Sequence, residues 1–490
     1  MYRRPSKKQE LIKRTLVYVA MTLLVIITVA GLIFVILGYR IDTDNGRVER
    51  SALLQYKTIP SGASVAVDGQ TVSTKTPAKS TVIEGSHKFV MQRDGYEAWQ
   101  NTLDIKAGTL TWLNYARLVP KNRPIVSVAN YPILHASLGT INGQTIMIQQ
   151  DASLPTFRLV DVRSDDIKTY NITLPATLYS DATTVGITHT FKVDSWDSDG
   201  RYLLVEHAYS NKNEWLVVDT QDVNLSKNIT KAFDVNITYA TFSGTSGNIL
   251  YTLSDGDIRK LDLSASTMTG TLVSHVSSFE LFETNVITYI GVSQADPTKR
   301  IVGLYREGDS SPHILRTVTE APDVPLHVTT SHYFNQDYVA ITDGNKVDIT
   351  NGSYPSSGSS DASSLSQFAS FKLTSDIKQV SFSPTGFYLM VQSGSQFASY
   401  DIEHQRVNMS SVSNDQSATV APLKWLDDDH LWSDFSDDLS MRDFDGSNAI
   451  NINAVASGYD VTLTHNDRFI YSIGKTSTGY QLQRVRMILP

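Results

Sequence analysis

Twenty-three consecutive residues, Thr15 to Leu37 (TLVYVAMTLLVIITVAGLIFVIL), carry no charge. As a helix rising ~1.5 Å per residue the run spans roughly 35 Å, enough for the ~30 Å hydrocarbon core of a bilayer with some tilt. No second run of comparable length follows. The sequence therefore predicts a single-pass anchor over 15–37, between a basic tail at 1–14 and a juxtamembrane linker at 38–50. The flanks give it a direction. Arg3, Arg4, Lys7, Lys8, Lys13 and Arg14 precede the run, whereas Arg40, Arg47 and Arg50 after it are mixed with Asp42, Asp44 and Glu49. Excess Lys and Arg mark the cytoplasmic side, so the N-terminus is expected inside and everything after Tyr39 outside. A cleaved signal peptide would have an apolar core of ~7–15 residues and a small-residue cleavage site; VILGYRID offers no such site.

The remainder reads as folded protein. At 490 residues, 41% hydrophobic and 19% charged, the chain is not disordered and is long enough for about two to four domains. With no cysteine it has neither disulfides nor zinc–thiolate sites. Residues 1–40 hold seven Lys/Arg and one Glu, a net +6, leaving 35 basic against 49 acidic residues, a net −14, for the rest. So acidic a body repels phosphate, and nucleic acid is excluded as the expected partner.

Residues 51–120 alternate short strands with turns. Pro60-Ser61-Gly62 is a turn, Ala63, Val65 and Val67 share one strand face, and Asp68-Gly69 favours a tight hairpin. His87, Phe89 and Met91 share a face of the next strand, and Asp94-Gly95 turns the chain again. About five or six strands are expected, without helix. PSGA (60–63), VAVDG, Thr76-Pro77 and EGSHKFVMQRDGYEAW (84–99) resemble the PEGA domain, with Gly85, His87, Gly95 and Tyr96 where that family places its turn glycine, following histidine and Gly-Tyr pair. Lys75 departs from the pattern, which has a glycine near this point. The resemblance implies a small extracytoplasmic β-domain of envelope proteins, without catalysis. It is expected to act as a stalk or to bind envelope material. Trp99, Trp112 and Tyr115 either fill its small core or stack on sugars.

From residue 121 the chain repeats loosely: a polar turn, then an apolar strand. The turns fall near Gly143, Gly200, Gly247, Asn285, Asp337, Gly386, His430 and Arg468, at intervals of 38 to 57 residues. Four-stranded propeller blades recur every ~40–50 residues. A β-propeller of seven or eight blades over 121–490 is therefore expected, with a β-sandwich array as the alternative. FSPTGFYLMV (382–391) resembles the strand-turn signature of TolB-like and WD-like propellers, although the G-H and W-D dipeptides of WD repeats are missing. The Ser-rich stretch 351–370 reads as a flexible loop between blades.

Motifs for chemistry are sparse. There is no P-loop, no H-E-x-x-H and no G-x-S-x-G, and the 11 histidines are scattered. Asp427, Asp428, Asp429, Asp434, Asp437, Asp438, Asp443 and Asp445 are closely spaced, and DFDGSN has the look of a loose calcium loop with Asp443, Asp445 and Asn448 as candidate ligands. It lacks the full acidic pattern and distal Glu of an EF-hand. The other reading is a set of blade turns with a solvated acidic edge. These readings converge on a mainly β, non-enzymatic binding or scaffolding protein of the cell envelope. It would have no cofactor, calcium apart, and would present a propeller to a protein or glycan. The alternative is a carbohydrate- or peptide-active enzyme using the propeller face.

Overall fold

The computed structural model describes residues 7–36, 39–41, 48–244, 246–318, 323–354, 364–413 and 420–490. The chain divides into two units, Met1–Asn122 and Arg123–Pro490.

In the first unit, α1 (Lys7–Ile36) contains the apolar stretch Leu11–Phe34, the one helix among the described residues long and apolar enough to cross a membrane. Within it, Thr22 and Thr28 donate their hydroxyls to the carbonyls of Tyr18 and Leu24 one turn back. Their polar atoms are thus satisfied inside the helix, as hydrocarbon would require.

Eight strands follow: β1 (Tyr39–Ile41), β2 (Val48–Ile59), β3 (Ser64–Val67), β4 (Gln70–Ser73), β5 (Ala78–Ile83), β6 (Gly85–Gln92), β7 (Trp99–Ile105) and β8 (Leu110–Arg117). β2 pairs with β1, β5 and, in parallel, β8; a second sheet runs β4-β3-β6-β7. Two strands thus occupy ends of the stretch expected as linker, where residues 42–47 lie outside the described set. Asp68 and Gly69 both have positive φ, 50° and 82°, the turn that matches strand twist in a two-residue hairpin. Ala63, Val65, Phe89 and Met91 are buried, as are Leu54 and Tyr56 of the other sheet, and the rings of Tyr56 and Phe89 meet at 6.3 Å. The PSGA turn is held by a residue 14 positions on: Thr76 Oγ1 accepts the N–H of Gly62 (3.1 Å) and Ala63 (3.0 Å) and bonds the Thr58 hydroxyl at 2.6 Å. The aromatic expectation splits. Trp99 and Tyr115 pack edge to face in the core, 5.5 Å apart, whereas Trp112 is 45% exposed.

Among its described residues the second unit contains eight four-stranded antiparallel sheets. Seven are contiguous in sequence. The eighth joins Thr462–Leu463, Phe469–Thr476 and Gly479–Arg486 to β9 (Ile125–Tyr131), the first strand of the unit. Alternation along each strand gives every sheet two apolar faces, and each face packs on the next sheet. Leu203 and Val205 of the second sheet pack with Met147 and Leu159 of the first, while Leu204 and Val217 pack with Ala240 and Leu250 of the third. The series closes where Ile146, Ile148 and Val160 of the first sheet pack with Phe469, Tyr471 and Ile473 of the eighth. Eight sheets in a closed series with a shared last blade make an eight-bladed β-propeller.

Each of the eight sequence turns falls at the same place in its blade, at or within two residues of the connection from first to second strand. Five of these turns share a device. Thr140, Asp197, Ser243, Ser383 and Thr464 are buried at the end of the first strand, and each N–H bonds the carbonyl of Thr145, Tyr202, Ile249, Tyr388 or Phe469 in turn. Glycine is required where these turns abut neighbouring blades. Gly143 has φ +62°, and a Cβ there would lie 2.2 Å from the Leu463 carbonyl of the eighth blade. Gly386, at φ +81°, would meet Ser331 Oγ of the fifth blade at 2.2 Å.

The Ser-rich stretch differs from expectation. Asn351 and Gly352 end one strand of the fifth blade and Leu365–Lys372 forms its fourth; residues 355–363 lie outside the described set. The stretch therefore sits within a blade, not between blades. Phe368, whose ring meets Tyr338 at 5.5 Å and Tyr400 at 5.9 Å, supplies the packing that makes a strand of a serine-rich sequence.

Candidate functional site

The first strands of the blades are Ala136–Gly139, His189–Trp196, Tyr239–Phe242, Val276–Phe282, Leu326–Tyr333, Gln379–Phe382, Lys424–Trp425 and Thr462–Leu463. They converge on one another. Trp196 Nε1 donates to the Leu138 carbonyl (3.2 Å), Gln379 Nε2 to the Leu423 carbonyl (2.7 Å) and Trp425 Nε1 to Ser381 Oγ (3.2 Å). The rings of Tyr239 and Phe279 meet at 5.2 Å. The first strands of neighbouring blades thus adjoin one another and form the inner wall of the ring, and several leave polar side chains exposed.

One arc of that wall is electrostatically distinct. Glu280 is exposed on its strand, with surrounding protein near enough to weaken the solvation of its carboxyl. The loss of solvation pushes it up to about 7, offset in part by a hydrogen bond from Thr329 of the next blade. Tyr239, one blade earlier and 37% exposed, has its hydroxyl pushed up by burial and then by the negative charges of Asp194 and Glu280, with Thr241 acting the other way. Three successive blades thus bring two carboxylates and a phenol within electrostatic reach. Such an arc can hold a cation or polyol, or move a proton near neutral pH. On the opposite arc Lys424 lies 3.6 Å from Asp460, whose other oxygen accepts the Gly139 N–H at 3.0 Å. Sequence reading missed Asp194, Tyr239 and Glu280. The signal that would group them is their spacing of one blade each, which identifies a common wall only once the first strands are known.

A tightly hydrogen-bonded set of titratable groups lies inside the second blade. Glu214 accepts the N–H and the hydroxyl of Ser180, at 2.7 and 2.8 Å, and lies 2.8 Å from His207 Nδ1. A carboxylate can only accept, so His207 donates from Nδ1. His207 Nε2 is then left for His189 Nδ1, 2.9 Å away. His207 and Glu214 are 0% and 1% exposed, and the His207 ring stacks on Phe191 at 4.5 Å and on Tyr209 at 5.1 Å. Burial alone would raise the Glu214 carboxyl, but hydrogen bonds from His207, Asn228 and Ser180 outweigh it and hold it down to about 2. The pairing was open to register arithmetic: Ser210 and Asn211 have positive φ, and a two-residue turn there sets His207 opposite Glu214.

The acidic cluster is distributed over three connections of the seventh blade. Asp427 Oδ1 accepts the N–H of Asp429 and His430, Asp428 Oδ1 accepts the Thr385 N–H of the sixth blade, and Asp437 pairs with Lys475 of the eighth at 2.7 Å. Of the calcium candidates, Asp443 and Asn448 are brought together: Asp443 Oδ2 accepts from Asn448 Nδ2 at 2.8 Å and from Ser447 Oγ at 3.2 Å. Asp445 Oδ1 instead accepts the Ser447 N–H at 2.9 Å. The carboxylates bind the turn's own donors. Among the described residues no group of three His, Asp or Glu side chains is arranged to hold a metal ion.

The fold and the wall define a helix-bearing, mainly β protein with an eight-bladed propeller body. Residues 52–122 match the model of the PEGA domain family. No curated protein matches the sequence. Solved structures similar to it include an oligogalacturonate lyase in complex with manganese (10% identity, TM-score 0.42, covering 73% of this chain and 98% of that one). Kluyveromyces lactis Hsv2 is similar at 11% identity and TM-score 0.38, covering 75% and 100%. The β-propeller domain of Myceliophteria thermophila Cps50 (Swd1) is similar at 13% and 0.36, covering 68% and 100%. At these scores none informs function.

Proposed function

We propose that this chain is a single-pass protein of a bacterial cell envelope, its N-terminus inside and its body outside. The PEGA-like module presents the propeller to an envelope protein or glycan, and no reaction is catalysed and no cofactor is held. What carries the reading is the order of parts along the chain: an apolar helix with a basic flank, then the PEGA match, then a ring of blades whose first strands carry exposed polar side chains. Protease added to spheroplasts is expected to digest everything after residue 50 and spare the N-terminal tail. A body that stays protected while the tail is cut reverses the topology.

The Asp194–Tyr239–Glu280 arc favours a second reading, a carbohydrate- or peptide-active enzyme, because a carboxyl near pH 7 suits proton transfer. Full-length protein and Glu280→Gln are compared on cell-wall glycan and peptide. Binding without turnover, weakened severalfold by the substitution, is expected. Turnover by the wild type that the variant loses supports the enzyme instead.

A further inference from the structure

We propose that the outer face of the β8–β2–β5 sheet seats on the lipid surface of the membrane that α1 enters, an interaction that rests on the anchor reading above. Across the parallel β2–β8 pair Leu53 is in register with Leu110 and Gln55 with Trp112; across β2–β5, Leu53 faces Thr81 and Ser51 faces Ile83. Residues opposite one another share a face. Ile83, Leu53, Leu110 and Trp112 therefore form one contiguous strip, and they are 48, 44, 45 and 45% exposed. The intervening residues Leu54, Tyr56 and Leu113 are buried in the core. A one-sided antiparallel or mixed sheet ordinarily presents polar residues to water, so four large apolar side chains side by side call for a covering.

Position along the chain selects the covering. Tyr39 follows the last helical residue, Ile36, by three positions. Its ring stacks on Phe34 of α1 at 4.9 Å, and the Arg50 guanidinium lies 6.0 Å over it. β1 pairs Tyr39 with Arg50, and Leu53 is three residues, roughly 10 Å, further along the same strand. The strip thus begins where the helix ends, within reach of the headgroup zone. Tryptophan favours that zone, and leucine and isoleucine gain by leaving water there. Lys79, opposite Gln55, and Lys57 are exposed beside Trp112, and ammonium groups there suit anionic lipid headgroups. A soluble partner or a second copy would have to compete with a bilayer already tethered to the same strand.

The test uses full-length protein in vesicles of phosphatidylcholine and phosphatidylglycerol, with and without bromine near the headgroup end of the acyl chains. Trp112 is one of six tryptophans, so bromolipid is expected to remove up to about a sixth of the emission, and Trp112→Phe to abolish that loss. Leu53→Glu, at an exposed position, should reduce the quenching with the circular dichroism unchanged. Release of the protein by alkaline carbonate overturns the anchor reading and this proposal together. Retention with no Trp112 quenching overturns the proposal alone. So does a Leu53→Glu effect seen in cross-linking between copies but not in quenching.

Discussion

A chain covering Arg123–Pro490 is expected to unfold in one cooperative transition without the helix, and a chain starting at Pro132 to lose that transition. The difference is β9. Its removal leaves the eighth blade with three strands and strips partners from Gly479–Arg486, whose residues Tyr480 to Val485 pair with Tyr131 to Ile125. It also removes Tyr131, 1% exposed, from the cluster that joins the eighth blade to the first. Burial of one such side chain is worth about 2–3 kcal/mol, and the unmet ladder bonds add to it. A domain's whole stability is about 5–15 kcal/mol, so opening the ring removes a large part of it. Melting followed by circular dichroism, with a dye for exposed apolar surface, reads the outcome. If the shorter chain melts within a few degrees of the longer one, the blades are held by their neighbours alone and closure contributes little.

Acid is expected to weaken the body through Glu214. Its carboxyl lies at about 2 in the folded protein against an ordinary 4.5. A depressed acid stabilises the fold above its unfolded value and loses that contribution as pH falls through the folded one. The window is therefore about pH 4.5 down to 2. A shift of this size corresponds to about 3 kcal/mol at neutral pH. Glu214→Gln replaces one acceptor with a donor between Ser180 and His207, so it should cost about 2–3 kcal/mol at pH 7. It should also flatten the decline between pH 4.5 and 2. Urea midpoints measured across that range give both numbers. An unchanged slope in the variant would assign the acid sensitivity elsewhere, with Asp437, also held down to about 2 by Lys475 and Ser457, as the next carboxylate to replace.

What the sequence determined by itself was local. The uncharged run required a helix, because a membrane-length apolar stretch can satisfy its own backbone only that way. The PSGA, Asp68-Gly69 and Asp94-Gly95 turns followed from backbone geometry, and Gly62, Gly69 and Gly95 do have positive φ. The eight body turns were legible because each needs a polar break before an apolar strand, and their number agreed with the eight blades. Residues 351–370 were misplaced because serine has weak local preferences, and the strand at Leu365–Lys372 is made by its pairing with Lys346–Gly352 and by the packing of Phe368, Ala369 and Phe371. Contacts between distant segments were decided by the tertiary structure. β9 looks like any other strand until Gly479–Arg486 is found without a fourth partner. Asp194, Tyr239 and Glu280 are ordinary strand residues until ring closure sets three first strands around one axis. Glu280 is exposed on its own strand, and its carboxyl is pushed up by the protein packed around it and drawn back by Thr329 of the next blade, surroundings that exist only once the ring is assembled and that no single stretch of chain contains.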